Sequence, residues 1–147
     1  MDFTIALKQR EVELAAALQA RLELQDVSLW ECKAAGAGPP LGPVEPVRLT
    51  AELDAELEPS ASSAVTFSVS LRVFCDDPIA FHIEATVLVR YGLATNAKPS
   101  SKSEVEAFRK SHALLAAWPY LREFVQTTAA RMSFPTEPLP VLRLVLR

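Results

Sequence analysis

The residues of this 147-residue chain best equipped for chemistry are two histidines, two cysteines and a ladder of carboxylates. His82 and His112 have the right side chain for proton transfer or metal binding. Neither has a Ser, Cys or carboxylate at a nucleophile or metal spacing, and HxxxH, HExxH and GxSxG are all missing, so both read as structural histidines. Cys32 and Cys75 form neither a CxxC pair nor a zinc spacing and read as two reduced core thiols. Glu52, Asp54, Glu56 and Glu58 could be set out as a metal ladder. Their alternation with Leu53, Ala55 and Leu57 is that of a strand with one wet face, which is the reading preferred here. The four glycines include no phosphate-cradling run. The expectation is a protein without catalytic residues, metal or cofactor.

Length and charge narrow the classes further. A chain of this size suits one domain with a sizeable core, and half of its residues are apolar. A net charge of −3 lacks the basic face that nucleic-acid binding needs. No apolar run approaches the roughly 18 residues of a membrane span, and no leader precedes the first amphipathic segment, which points to a cytoplasmic protein without membrane insertion.

The elements that must position any site follow from periodicity. Residues 5–25, with Ile5, Val12, Leu14, Leu18 and Leu22 among alanines and charges and no Gly or Pro, predict an N-terminal helix within a 1–25 segment. A first strand follows at residues 26–33, closed by a turn-rich loop over 36–46. Three strands of period two come next, at 47–58, 65–75 and 79–91. Their apolar sets are carried by Leu53, Val69 and Ile83, and short turns favour antiparallel hairpins. This assigns 26–91 to a four-stranded antiparallel sheet. Ser103 followed by Glu106 fits a helix-start capping pattern. Pro119, lacking an N–H, is expected to restart the helix, so 101–132 reads as two helical segments broken there, followed by a tail at 133–147. One helix, four strands and then helices packed on one face make an α+β domain.

Two motifs carry a resemblance. The helix opening Trp118-Pro119-Tyr120-Leu121-Arg122-Glu123 and the exit Arg131-Met132-Ser133-Phe134-Pro135 before a Leu/Pro segment are similar to those of the SecB family of protein-export chaperones, and Ala80-Phe81-His82-Ile83-Glu84 resembles that family's fourth strand. The resemblance spans residues 27–145 and implies a SecB-like fold. It also implies an ATP-independent holdase, assembled as a homotetramer (a dimer of dimers), that binds unfolded polypeptides or preproteins in apolar grooves for export and hands them to SecA. Apolar walls favour any unfolded segment at about 25 cal/mol per Å² of apolar area. By that analogy Ile83, Ala85 and Val87 match subunit-packing positions, with core packing as the rival reading. Trp30, Leu41, Trp118 and Tyr120 are candidate client-binding walls, and for Trp118 and Tyr120 helix-to-sheet packing is the alternative. Glu84 matches an acidic position used against SecA, or is a solvated carboxylate. The sequence to Arg147 has no acidic tail helix of the kind that engages SecA. A leading helix resembles the SecB-like chaperones that accompany toxin–antitoxin systems, whose client is an antitoxin. A non-chaperone adaptor using the same apolar surface for one partner is the third reading.

Overall fold

The computed structural model describes residues 3–36, 38, 45–61, 63–76, 79–134 and 136–147. Leu41, most of the expected 36–46 loop, the Asp77-Pro78 turn and Pro135 lie outside the described residues. The order is β1 (Phe3–Leu7), α1 (Gln9–Gln19), β2 (Leu22–Gly36), β3 (Thr50–Glu58), β4 (Ala64–Cys75), β5 (Phe81–Leu93), α2 (Lys102–Arg109), α3 (His112–Arg131) and β6 (Leu142–Leu146). The α+β class and the four-stranded antiparallel sheet hold, with strand order β2-β5-β4-β3.

That order follows from the alternation. β3–β4 and β4–β5 are the expected antiparallel neighbours, and the fourth strand then pairs back with the first. Phe67, Val69, Leu71 and Val73 of β4 lie opposite Val89, Val87, Ala85 and Ile83 of β5, and these side chains are buried. α3 covers this face with Ala117, Leu121, Val125 and Ala129, whose spacing of four residues makes one apolar stripe. Phe108 of α2 closes one end of the core by stacking on Phe67 and meeting Tyr91 edge-on, and burial pushes the Tyr91 hydroxyl up to about 12.

Four boundaries differ from expectation. The expected N-terminal helix is a strand, an 11-residue helix and the start of the next strand, because Leu22 and Leu24 pair with β5. α1 is capped at Lys8, whose backbone N–H donates to Glu11 at 2.9 Å. The capping box of α2 lies two residues earlier than expected: Ser101 Oγ accepts from the Glu104 N–H at 3.2 Å and Glu104 accepts from the Ser101 N–H at 3.0 Å. Pro119 does not restart a helix, since α3 runs through it. The break falls at Lys110 and Ser111 instead, where Ser111 adopts φ −130°, ψ −85°. The tail is not irregular throughout, because β6 pairs in parallel with β1 from Phe3↔Leu142 to Leu7↔Leu146.

This small second sheet sits on α3. Phe3 packs on the Trp118 ring at 4.7 Å between centroids, the Trp118 indole N–H donates to the Pro140 carbonyl at 3.1 Å, and Arg122 Nε donates to the Leu139 carbonyl at 2.7 Å. Further back, Phe134 stacks on Phe81 at 4.3 Å.

Candidate polypeptide-binding surface

The face of the main sheet turned away from α3 is uncovered in the single chain. Its outward set is Thr66, Ser68, Ser70 and Arg72 from β4 and His82, Glu84, Thr86, Leu88 and Arg90 from β5, flanked by the β3 carboxylates. The middle is satisfied polar surface: Ser70 and Thr86 hydroxyls lie 2.8 Å apart, and Arg72 pairs with Glu84 at 3.2 Å and with Glu52 at 3.4 Å. Toward one end the surface deepens into a cleft of about 680 Å³, with Trp30 and Leu88 as its apolar walls, Ser68 and Thr86 among its lining, and Glu58 and Arg90 at its edges.

Trp30 sits on this outward side at a bulge in β2. Its register slips between Leu29↔Val87 and Glu31↔Thr86, leaving Trp30 as the extra residue without a partner across the ladder. The ring is 70% exposed, and Leu24 and Leu29, which face the other side of β2 opposite Tyr91 and Val87, are also open to solvent along this edge. An unpaired strand edge with exposed apolar side chains on both of its faces offers apolar area and main-chain donors to an incoming chain.

The other expected site residues fall elsewhere. Trp118 is 4% exposed and locked between Phe3 and Pro140, so it belongs to the core rather than to an open groove. Tyr120, on the same helix, is 52% exposed. Ile83, Ala85 and Val87 are 0%, 2% and 3% exposed beneath α3 of their own chain. A subunit contact through them is therefore corrected to core packing, because no second chain reaches side chains already enclosed. The opposite set of β5, including Thr86 and Leu88, lies on the uncovered face. Glu84 is held between Lys33 at 3.1 Å and Arg72. Cys75 is buried as expected. Cys32 is exposed on the β2 edge, which corrects its placement as a core thiol.

Arg90 was not singled out from sequence, whereas Thr86 and Leu88 stand out there as a mildly polar outward side of the fourth strand, a candidate for association with another sheet. In the structure this set and Trp30 line one cleft.

Among the described residues neither histidine meets a partner for catalysis. His112 stacks on Phe108 at 5.2 Å, and burial lowers its pKa. Among the described residues no group of three or more potential metal ligands converges, and no helix is long and apolar enough to cross a membrane.

No protein-family model matches the chain, and no curated protein matches it significantly. Among solved structures, the chain is similar to the Mycobacterium tuberculosis SecB-like chaperone Rv1957 in complex with a ChAD peptide from the Rv1956 HigA1 antitoxin. The TM-score is 0.75 and the identity 21%, over 90% of this chain and 99% of that one. A protein of unknown function from Streptococcus agalactiae overlaps at a TM-score of 0.41 and 14% identity, over 81% of this chain and 96% of that one, which is too loose to bear on the fold. The chain thus has the fold of a SecB-like chaperone, as the Trp118-Pro119-Tyr120 and Phe134-Pro135 motifs led us to expect.

Proposed function

We propose that this protein is an ATP-independent, SecB-like chaperone that holds non-native polypeptide, and that its dedicated client is an antitoxin of a toxin–antitoxin system. The observation that carries the reading is the joint occurrence of a SecB-like fold over nearly the whole chain and an open apolar edge at Leu24, Leu29 and Trp30. The similar fold belongs to a chaperone holding a peptide from an antitoxin, which favours an antitoxin client over general export. Export with SecA as partner is the weaker reading, since Glu84 is already paired with Lys33 and Arg72 and would have to leave both cations to meet a motor protein. Assembly as a dimer of dimers belongs to the proposal. β2, a 15-residue strand with one free edge, is the element whose backbone most needs a partner.

The test is suppression of aggregation without ATP. A purified antitoxin with an apolar, unfolded extension should stay in solution at stoichiometric chaperone, and a mixture of unrelated unfolded proteins should be protected less. Equal protection of secretory precursors would favour export, and protection of one folded partner alone would favour an adaptor. Failure to protect any of them would overturn the holdase reading.

A further inference from the structure

The two sheets leave a cleft between them, lined by residues of β1 and β3. They are joined at one end, where Val47 makes a parallel bridge with Thr136 and its carbonyl accepts from the Glu137 N–H at 3.4 Å. From there the chain enters β3 on one side and β6 on the other. No ladder connects the small sheet to the main one among the described residues, so β1 and β3 each keep an edge without a strand partner, the Ala55 carbonyl of β3 being held there by Arg109. Between those edges lies a cleft of about 460 Å³, with Ile5, Leu53 and Leu114 as apolar lining.

The hydrogen-bonding directions of the two edges follow from the ladders already made. In an extended strand the N–H and C=O of one residue point to the same side, and successive residues alternate. The Leu7 carbonyl accepts from the Arg147 N–H at 2.8 Å, so Leu7 and Ile5 turn toward β6 and Ala6 turns away from it. The Ala55 carbonyl accepts from Arg109 Nη1 at 2.8 Å, which places the main-chain groups of Ala55, and of Leu53 two residues before, on the outer edge of β3. A single inserted strand needs the two edges roughly 9.5 Å apart, twice the spacing of neighbouring strands.

The charges of this cleft select among extended segments. Lys8, Arg109, Lys110 and Arg147 line it, against Glu11 and Asp54. Lys110 is committed to Glu11 at 3.1 Å, and Arg109 is committed to Glu106 and the Ala55 carbonyl. Lys8 and Arg147 make no salt bridge among the described residues and neither does Asp54, which leaves a surplus of one positive side chain in the lining.

From these observations we infer that the β1–β3 cleft takes an extended client segment as an inserted strand, alternate apolar side chains facing Ile5, Leu53 and Leu114 and an acidic residue meeting Lys8 and Arg147. The inference deepens the chaperone reading and rests on it for the nature of the occupant. It adds a second binding surface, distinct from the Trp30 cleft, and a preference for acidic over basic segments.

The probe is a fluorescent peptide of sequence Val-Thr-Val-Thr-Val-Glu, compared with the same peptide ending in Lys, on the full chain. The Glu peptide should bind about fivefold more tightly than the Lys peptide, and the preference should reverse in the Lys8→Glu, Arg147→Glu double variant. Ala6→Pro removes one edge donor without touching the β6 ladder and should weaken the Glu peptide about tenfold. As a readout that needs no variant, amide exchange at Ala6 and Leu53 of the unaltered protein should slow when the peptide is added. Binding that ignores both the charge of the peptide and the Ala6 edge, or that leaves exchange at Ala6 and Leu53 unchanged, overturns the inference. Suppression of aggregation measured alongside separates the two readings: protection without insertion removes only this site, whereas insertion without protection removes the chaperone function.

Discussion

The guanidinium of Arg21 grips the carboxylate of Glu104 with two parallel hydrogen bonds, Nη1 to Oε2 at 2.7 Å and Nη2 to Oε1 at 2.9 Å, across 83 positions of sequence. Arg21 also donates to the Ala17 and Lys98 carbonyls, so one side chain ties the end of α1 and the loop before α2 to the α2 cap. The pair is mostly buried. Arg21→Ala leaves the Glu104 carboxylate without its fork and should lower the midpoint of urea denaturation. Arg21→Lys should recover only part of the loss, because an ammonium cannot match the fork.

The same pair sets an acid limit. Hydrogen bonding from Arg21, helped by the Ser101 N–H and hydroxyl, holds the Glu104 carboxyl at about 2, below its ordinary 4.5. A folded-state pKa that is depressed stabilises the fold fully above the unfolded value, and that stabilisation is lost as pH falls from about 4.5 toward 2. The urea midpoint should therefore drop across this window, and less steeply in Glu104→Gln. Equal slopes for the two proteins would assign the acid sensitivity to other carboxylates.

The two tryptophans should separate stability from binding. Trp118→Ala empties a site enclosed by Phe3 and the Pro140 carbonyl and should destabilise by about 3–5 kcal/mol. Trp30→Ala removes an exposed ring and should change stability by less than about 0.5 kcal/mol while lowering affinity for an unfolded client about tenfold. Unchanged client affinity for Trp30→Ala would remove that cleft from the binding surface.

Val87→Asp and Leu88→Asp distinguish the two faces of β5. The first buries a charge under α3 and should unfold the chain. The second, on the uncovered face, should leave circular dichroism intact and change only assembly mass or client binding. A folded Val87→Asp protein of reduced mass would return that residue to a subunit contact.

Pro119 lies inside α3, where it offers no N–H to the Leu115 carbonyl. Pro119→Ala should raise stability by about 1–3 kcal/mol, read from the thermal midpoint. A loss instead would show that the backbone restriction imposed by proline is needed to seat α3 on the sheet.

Gly36 faces the edge of the Phe134 ring so closely that a Cβ there would overlap it. Gly36→Ala should displace Phe134 from its stack on Phe81 and cost about 1–3 kcal/mol, visible as an increase in Phe134 side-chain mobility by NMR.

Much of the fold was legible from residue order alone, because period-two alternation is a local property. Leu53, Val69 and Ile83 announced three strands, short turns made them hairpins, and the Trp118-Pro119-Tyr120 and Phe134-Pro135 motifs pointed to a SecB-like chaperone fold. Alternation separates two faces of a strand without saying which one a helix will cover. Tertiary packing decided that Ile83, Ala85 and Val87 go under α3 and that Thr86 and Leu88 stay outside. It also decided what depends on distant partners: the bulge that leaves Trp30 without a cross-strand partner is a mismatch with β5, the β1–β6 sheet pairs residues from opposite ends of the chain, and α3 continues through Pro119 because packing on the sheet compensates for the missing hydrogen bond. The candidate client surface lies where these long-range choices leave apolar side chains and strand edges unpaired, which is why its position could not be read from local pattern.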